Sequence, residues 1–258
     1  MKTRSLRLLL VLALTLSLTS CMYWIRAYQV YLQMDDFDRH FSVTVGDEFT
    51  LHFKNPILYS KDFVSLSKLY ASQDDLTADG RRWRYWFRKV DGNNQLIKPE
   101  VKFYSDLNFN KENRLIAWSF SSLFLAIAPP KFLEVSLRSI GGAEIDNDKK
   151  QLKANPALLE KIADDLPKKP SILAQLGEPF EIVDEPAQEQ EIYIYRFLLE
   201  TRHIEKGYED RALNEVKITF DKKTQELIRM AGRFAGLKVS IDYRKFMDDA
   251  PAIAKTNP

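Results

Sequence analysis

The residue types that do covalent or metal chemistry are sparse in this chain. It holds one cysteine, Cys21, and three histidines, His40, His52 and His203. A lone thiol makes no intrachain disulfide, so Cys21 is a small buried hydrophobe, a nucleophile or an attachment point. The histidines form no close H-x-x-x-H pair, and no Cys/His cluster has zinc spacing. "DDLTAD", Asp74 to Asp79, gathers carboxylates as a calcium loop does, but it lacks the twelve-residue pattern with its distal glutamate and reads as a solvated loop. No G-x-S-x-G is present to present a serine on a sharp turn. "SIGGAEID", Ser139 to Asp146, has paired glycines without a G-x-G-x-x-G or Walker phrase and reads as a linker. The 36 acidic residues single out no facing pair of the kind a glycosidase needs. These patterns point away from an enzyme, and they imply no cofactor and no metal.

The flanks of Cys21 are more informative. "MKTRSLR" carries Lys2, Arg4 and Arg7 and no acid, and "LLLVLALTL" follows it as an apolar run. A basic start and a short apolar stretch are the architecture of a secretory signal. The phrase that ends it, "LTSC", resembles the lipobox of bacterial lipoproteins. The resemblance implies cleavage before Cys21, diacylglyceryl transfer to its sulfur and acylation of the new amino group. Lipidated Cys21 would then hold the protein to a membrane persistently, because each buried CH₂ contributes about 0.8 kcal/mol and more than one chain is attached. The alternative is an uncleaved anchor, since the run from Leu8 to Ile25 is free of charge and close to the minimum spanning length. The residue after the cysteine is Met22 rather than aspartate, which by the same resemblance favours the outer over the inner membrane.

Charge narrows the partners. The chain has 38 basic and 36 acidic residues, net +2, and three of the bases lie in residues 1–20 with no acid, so the remainder stands at −1. A near-neutral body argues against nucleic acid, whose phosphates demand a basic surface. The aromatic excess is more distinctive. In "RRWRYWFRKV", strand alternation puts Arg82, Arg84, Trp86 and Arg88 on one face and Trp83, Tyr85, Phe87 and Lys89 on the other. The first face could grip an anionic lipid, a glycan or a partner protein, with Arg84, Trp86 and Arg88 as candidate interaction residues. It is otherwise the solvated side of a sheet whose other face is core.

The elements that must position these residues read as α+β. After Cys21, "MYWIRAYQVYLQM" sets Trp24, Tyr28 and Tyr31 at helical spacing, either against a membrane interface or packed on the body. "HFSVTVGDEFTLHF" reads as two strands about Gly-Asp, and "YSKDFVSLSKLY" as a helix. "ASQDDLTADGRR" reads as a loop, "WRYWFRKV" as a strand, "PEVKFYSDLNFNKENRLIAWSF" as two strands, and "PPKFLEVSLRS" as a further strand. Then "NPALLEKIADDL", Asn155 to Leu166, reads as a helix with Pro at its first position, and "KPSILAQLGEP" as a shorter helix closed by Gly177. "EIYIYRFLLE", "NEVKITF", "ELIRMAGRF" and "LKVSIDYRKF" read as strands. The similar order in the two halves predicts two helix-plus-antiparallel-sheet units, at residues 40–140 and 155–258, joined by a linker at 141–154 and preceded by a membrane-proximal segment at 21–39.

Within the second half, Leu176, Gly177, Pro179, Tyr193, Tyr195, Phe220, Asp221, Leu227 and Ile228 resemble the BamE (SmpA/OmlA) lipoprotein domain over about sixty residues, Ser171 to Met230. Beta-lactamase-inhibitor proteins look like tandem copies of a similar fold. The resemblance implies tandem BamE-like units on a lipoprotein that binds or scaffolds other envelope proteins, with a role in outer-membrane assembly. A module holding a lipid or small apolar ligand between helix and sheet is the alternative.

Overall fold

The computed structural model describes residues 22–146, 151–153, 161–234 and 237–247. Alternating apolar and polar residues place more of the described chain in strands than in helices. These are β1 (Phe41–Val45), β2 (Phe49–Phe53), β3 (Gln73–Thr77), β4 (Gly80–Lys89), β5 (Lys102–Asn110), β6 (Leu115–Phe120), β7 (Glu144–Asp146), β8 (Gln151–Lys153), β9 (Glu181–Glu185), β10 (Gln190–Glu200), β11 (Leu213–Asp221), β12 (Leu227–Phe234) and β13 (Leu237–Asp242). Helices are α1 at 22–34, α2 (Phe37–His40), α3 (Ser60–Ser67), α4 (Ser122–Leu125), α5 (Pro130–Arg138) and α6 (Lys169–Leu176).

Two separate tandem units are not what forms. Eleven strands make one continuous antiparallel sheet in the order β1-β2-β6-β5-β4-β10-β11-β12-β13, with β3 beside β4 and β9 beside β10. The halves meet where β4 pairs with β10, Trp86 opposite Glu200 and Lys89 opposite Phe197. One edge of β4 is therefore shared: β3 takes Gly80 to Arg84, and β10 takes Trp86 to Lys89. Ser72 bridges the changeover, its hydroxyl accepting the Trp86 N–H at 2.8 Å and donating to the Glu200 carbonyl. The strands run in similar local order on either side of this seam, but they share one sheet and one core. The physical reason is that two aromatic strands with one filled edge each gain a ladder and a common apolar face by pairing.

The sheet curls. Neighbouring strands lie about 4.8 Å apart, so β4 and β12, separated by two strands, would stand about 14 Å apart in a flat sheet. Phe234 of β12 nevertheless meets Phe87 of β4 at 6.0 Å and Phe103 of β5 at 6.1 Å between ring centroids. The concave side is filled by Phe49, Phe87, Phe103, Phe109, Phe197, Phe220 and Tyr195, with Phe124, Phe132 and Ile172 from the helices. Each such ring contributes about 1.5–3 kcal/mol on burial. The Tyr243 hydroxyl donates to the Ile127 carbonyl and its ring stands edge-on to Phe132, closing β13 over α5.

Other expectations are corrected locally. "PPKFLEVSLRS" is the helix α5: Pro130 occupies its first turn, Phe132 and Leu133 are buried, and Arg138 donates to Glu134 at 2.9 Å one turn back. The acidic "QDDLT" is strand β3, because Asp75 lies directly across from Arg82 with a 2.7 Å ion pair. Within "NPALLEKIADDL", residues 155–160 lie outside the described residues, and 161–166 are not helical. Ile162 and Leu166 are still buried, with the Ile162 N–H donating to the Phe246 carbonyl at 2.7 Å. The stretch at 141–154 contains the β7–β8 hairpin, which pairs apart from the main sheet.

Candidate interaction surfaces

Strand β4 places its residues as alternation requires. Trp83, Tyr85, Phe87 and Lys89 face the core, and Arg82, Arg84, Trp86 and Arg88 face outward. Trp86 is half-buried there. Its ring meets Tyr104 edge-on at 5.0 Å, with the Arg84 guanidinium 5.2 Å and the Lys102 ammonium 5.1 Å from its centroid. It lines an open hollow of about 200 Å³ together with Gln73, Arg88, Lys102 and Glu200.

The cations around it are paired. Arg84 donates two bonds to the buried Asp106, at 2.6 and 2.7 Å, and stacks over Tyr104 at 3.8 Å. The carboxylate holds the Arg84 guanidinium above its ordinary pKa. Arg88 donates to Glu100 at 2.5 Å and lies 3.5 Å from Glu200, and Lys102 lies 3.1 Å from Glu100. The Tyr104 hydroxyl donates to Glu48, and burial together with that carboxylate raises its pKa to about 12. The outer face is thus close to neutral.

No family model, curated protein or solved structure matches the chain.

The three histidines each meet a neighbouring side chain. His52 bonds Thr44 at 2.9 Å, His40 bonds Asn55 at 3.1 Å, and His203 stands edge-on to Tyr70. No group of three potential metal ligands occurs among the described residues. Asp74 faces Arg81 at 2.8 Å and Arg202 at 3.1 Å. Gly177 closes α6 at φ +67°, a positive φ that glycine adopts without strain. Cys21 lies outside the described residues.

Two features go beyond the sequence reading. Lys89 points into the interior, where its ammonium donates to the Leu176 carbonyl at 2.6 Å and the Glu178 carbonyl at 2.5 Å. A lysine of the first half thereby caps the C-terminus of α6 in the second. Burial lowers its pKa. The signal for it was present, since alternation put Lys89 on the apolar face. The second feature is α1, whose Arg26 turns inward onto the buried Asp62 at 2.5 and 2.7 Å. Asp62 also accepts the Tyr59 N–H at 2.8 Å, at the start of α3. Tyr31 donates to the Ala143 carbonyl at 2.8 Å, and Met34 is buried. The opposite side of α1 exposes Met22, Trp24, Ile25, Tyr28 and Leu32, each about half accessible.

Proposed function

We propose that this protein is a non-enzymatic lipoprotein of the bacterial cell envelope, tethered through acylated Cys21, that binds another envelope protein on the outer face of β4 and β5. Trp86 carries the proposal: an aromatic ring lining an open hollow beside charges of both signs. Such a site suits a protein side chain and its polar surroundings. It suits an anionic lipid or glycan less, because Arg84, Arg88 and Lys102 already have carboxylate partners. The concave side, where a small apolar ligand would lie between helix and sheet, is occupied by phenylalanine rings. The lipobox-like "LTSC" supports the attachment, Met22 supports the periplasmic side of the outer membrane, and the BamE-like stretch supports a part in outer-membrane assembly.

The test is capture of the native lipidated protein in mild detergent, with mass spectrometry of co-purifying proteins and lipids. The intact chain should begin at Cys21 and carry acyl groups. Trp86→Ala should weaken the captured protein's binding about 30-fold, equivalent to about 2 kcal/mol, with circular dichroism unchanged. Unchanged binding by the folded variant removes this face from the proposal.

A further inference from the structure

The uncovered side of α1 is an unusual surface. Its residues Met22, Trp24, Ile25, Tyr28 and Leu32 recur at one-turn intervals, and all are about half exposed. From Met22 to Met34 the only formal charge is Arg26. That charge is withdrawn: Arg26 turns inward, its side chain is 13% exposed, and it is bonded to Asp62. The outward side therefore carries no charge, and its aromatic residues are Trp and Tyr, which combine an apolar ring with a polar edge and settle at the headgroup level of bilayers.

We infer that α1 lies flat on the lipid surface and fixes the orientation of the body above it. The occupant is the bilayer and not a second protein, because the chain leads there. In the lipoprotein proposed above the leader is removed before Cys21, so the acylated residue adjoins Met22 and no polar tether separates membrane attachment from α1. No helix among the described residues is long and apolar enough to cross a membrane. The inner side of α1 is bound to the body through Arg26, Tyr31 and Met34, so a helix that lies on the surface carries the sheet with it. The inference rests on the attachment proposed above and adds an orientation to it.

The experiment uses the full lipidated chain in phosphatidylethanolamine–phosphatidylglycerol vesicles with brominated acyl chains. Flotation reads attachment, and quenching of tryptophan emission reads the α1 face. Wild type should float and be quenched, more by bromines near the carbonyl end than near the methyl end. Trp24→Phe should still float but lose at least about half of the quenching. Ile25→Glu with Leu32→Glu should float and lose the quenching of Trp24. A chain that floats without quenching overturns the orientation and leaves the attachment standing. Quenching that persists in Trp24→Phe assigns the membrane contact to another tryptophan and also overturns it. So does a floating dimer whose Trp24 is shielded from bromines, since a second copy is then the cover. A chain that does not float overturns both readings.

Discussion

The outward side of α1 and the outer face of β4 and β5 are each held in place by a buried arginine–aspartate pair, yet they present different surfaces. Behind α1, Arg26 and Asp62 consume the helix's only charge and leave an apolar exterior. Beneath Trp86, Arg84 and Asp106 are surrounded by further pairs, and the exterior stays polar and balanced. The difference lies in where the pair sits. In a helix packed on the body, one inward arginine can clear a whole side of charge. In a strand, alternation returns a side chain to the surface at every second position, so each base there needs an acid from the next strand.

That contrast can be broken most sharply at Arg84. Arg84→Ala leaves Asp106 buried in the sheet without its cation, and the chain there cannot move away. Urea denaturation should show a loss of about 3–5 kcal/mol. Asp62→Ala removes the partner of Arg26 and the acceptor for Tyr59, but α1 can lift and let Arg26 reach water. The expected global loss is smaller, about 2–3 kcal/mol, and hydrogen exchange at residues 22–34 should accelerate more than in β4. Equal, uniform loss in the two variants would erase the distinction between helix and strand.

Next comes Lys89→Met, which orphans the Leu176 and Glu178 carbonyls while adding apolar fill, for an expected loss of about 1–2 kcal/mol near pH 7. Its pH dependence has a defined sign. The folded amine has a pKa below the ordinary 10.5, so between those two values the unfolded chain binds more protons than the folded one. Wild type should therefore gain stability relative to Lys89→Met as pH rises through the alkaline range towards 10.5. A constant difference across that range would show that Lys89 is not held in a desolvated site. The smallest effect belongs to Arg88→Ala, whose exposed pairs with Glu100 and Glu200 should contribute under about 1 kcal/mol and fade in high salt.

Local patterns carried the sequence reading where one element decides its own faces. The alternation of β4, the α3 helix and the glycine stop of α6 were all legible. The tandem arrangement failed because strand pairing is not local: nothing near Trp86 tells that Glu200 lies opposite it. "KFLEVSL" failed for a different reason. Its short apolar run satisfies a period of 2 nearly as well as 3.6, and only the Pro130 start and the Glu134–Arg138 step distinguish helix from strand. Asp106 was invisible as the partner of Arg84, because that pairing depends on the register of β5. The attachment at Cys21 depends on the leader and "LTSC", and so stands as a proposal.

The seam between β4 and β10 also sets an order of events during biosynthesis. A chain synthesised from its N-terminus delivers β1 to β6 before β10 exists. Until Phe197 arrives, the edge of β4 from Trp86 to Lys89 has no partner strand, and the Lys89 amine has no helix end to cap. The first half is thus an incomplete fragment with a sticky edge, and the last strands supply its missing wall. Such long-range closure is slow and vulnerable to aggregation. A chain truncated after Gly142 should accordingly require a holding chaperone where the whole protein does not.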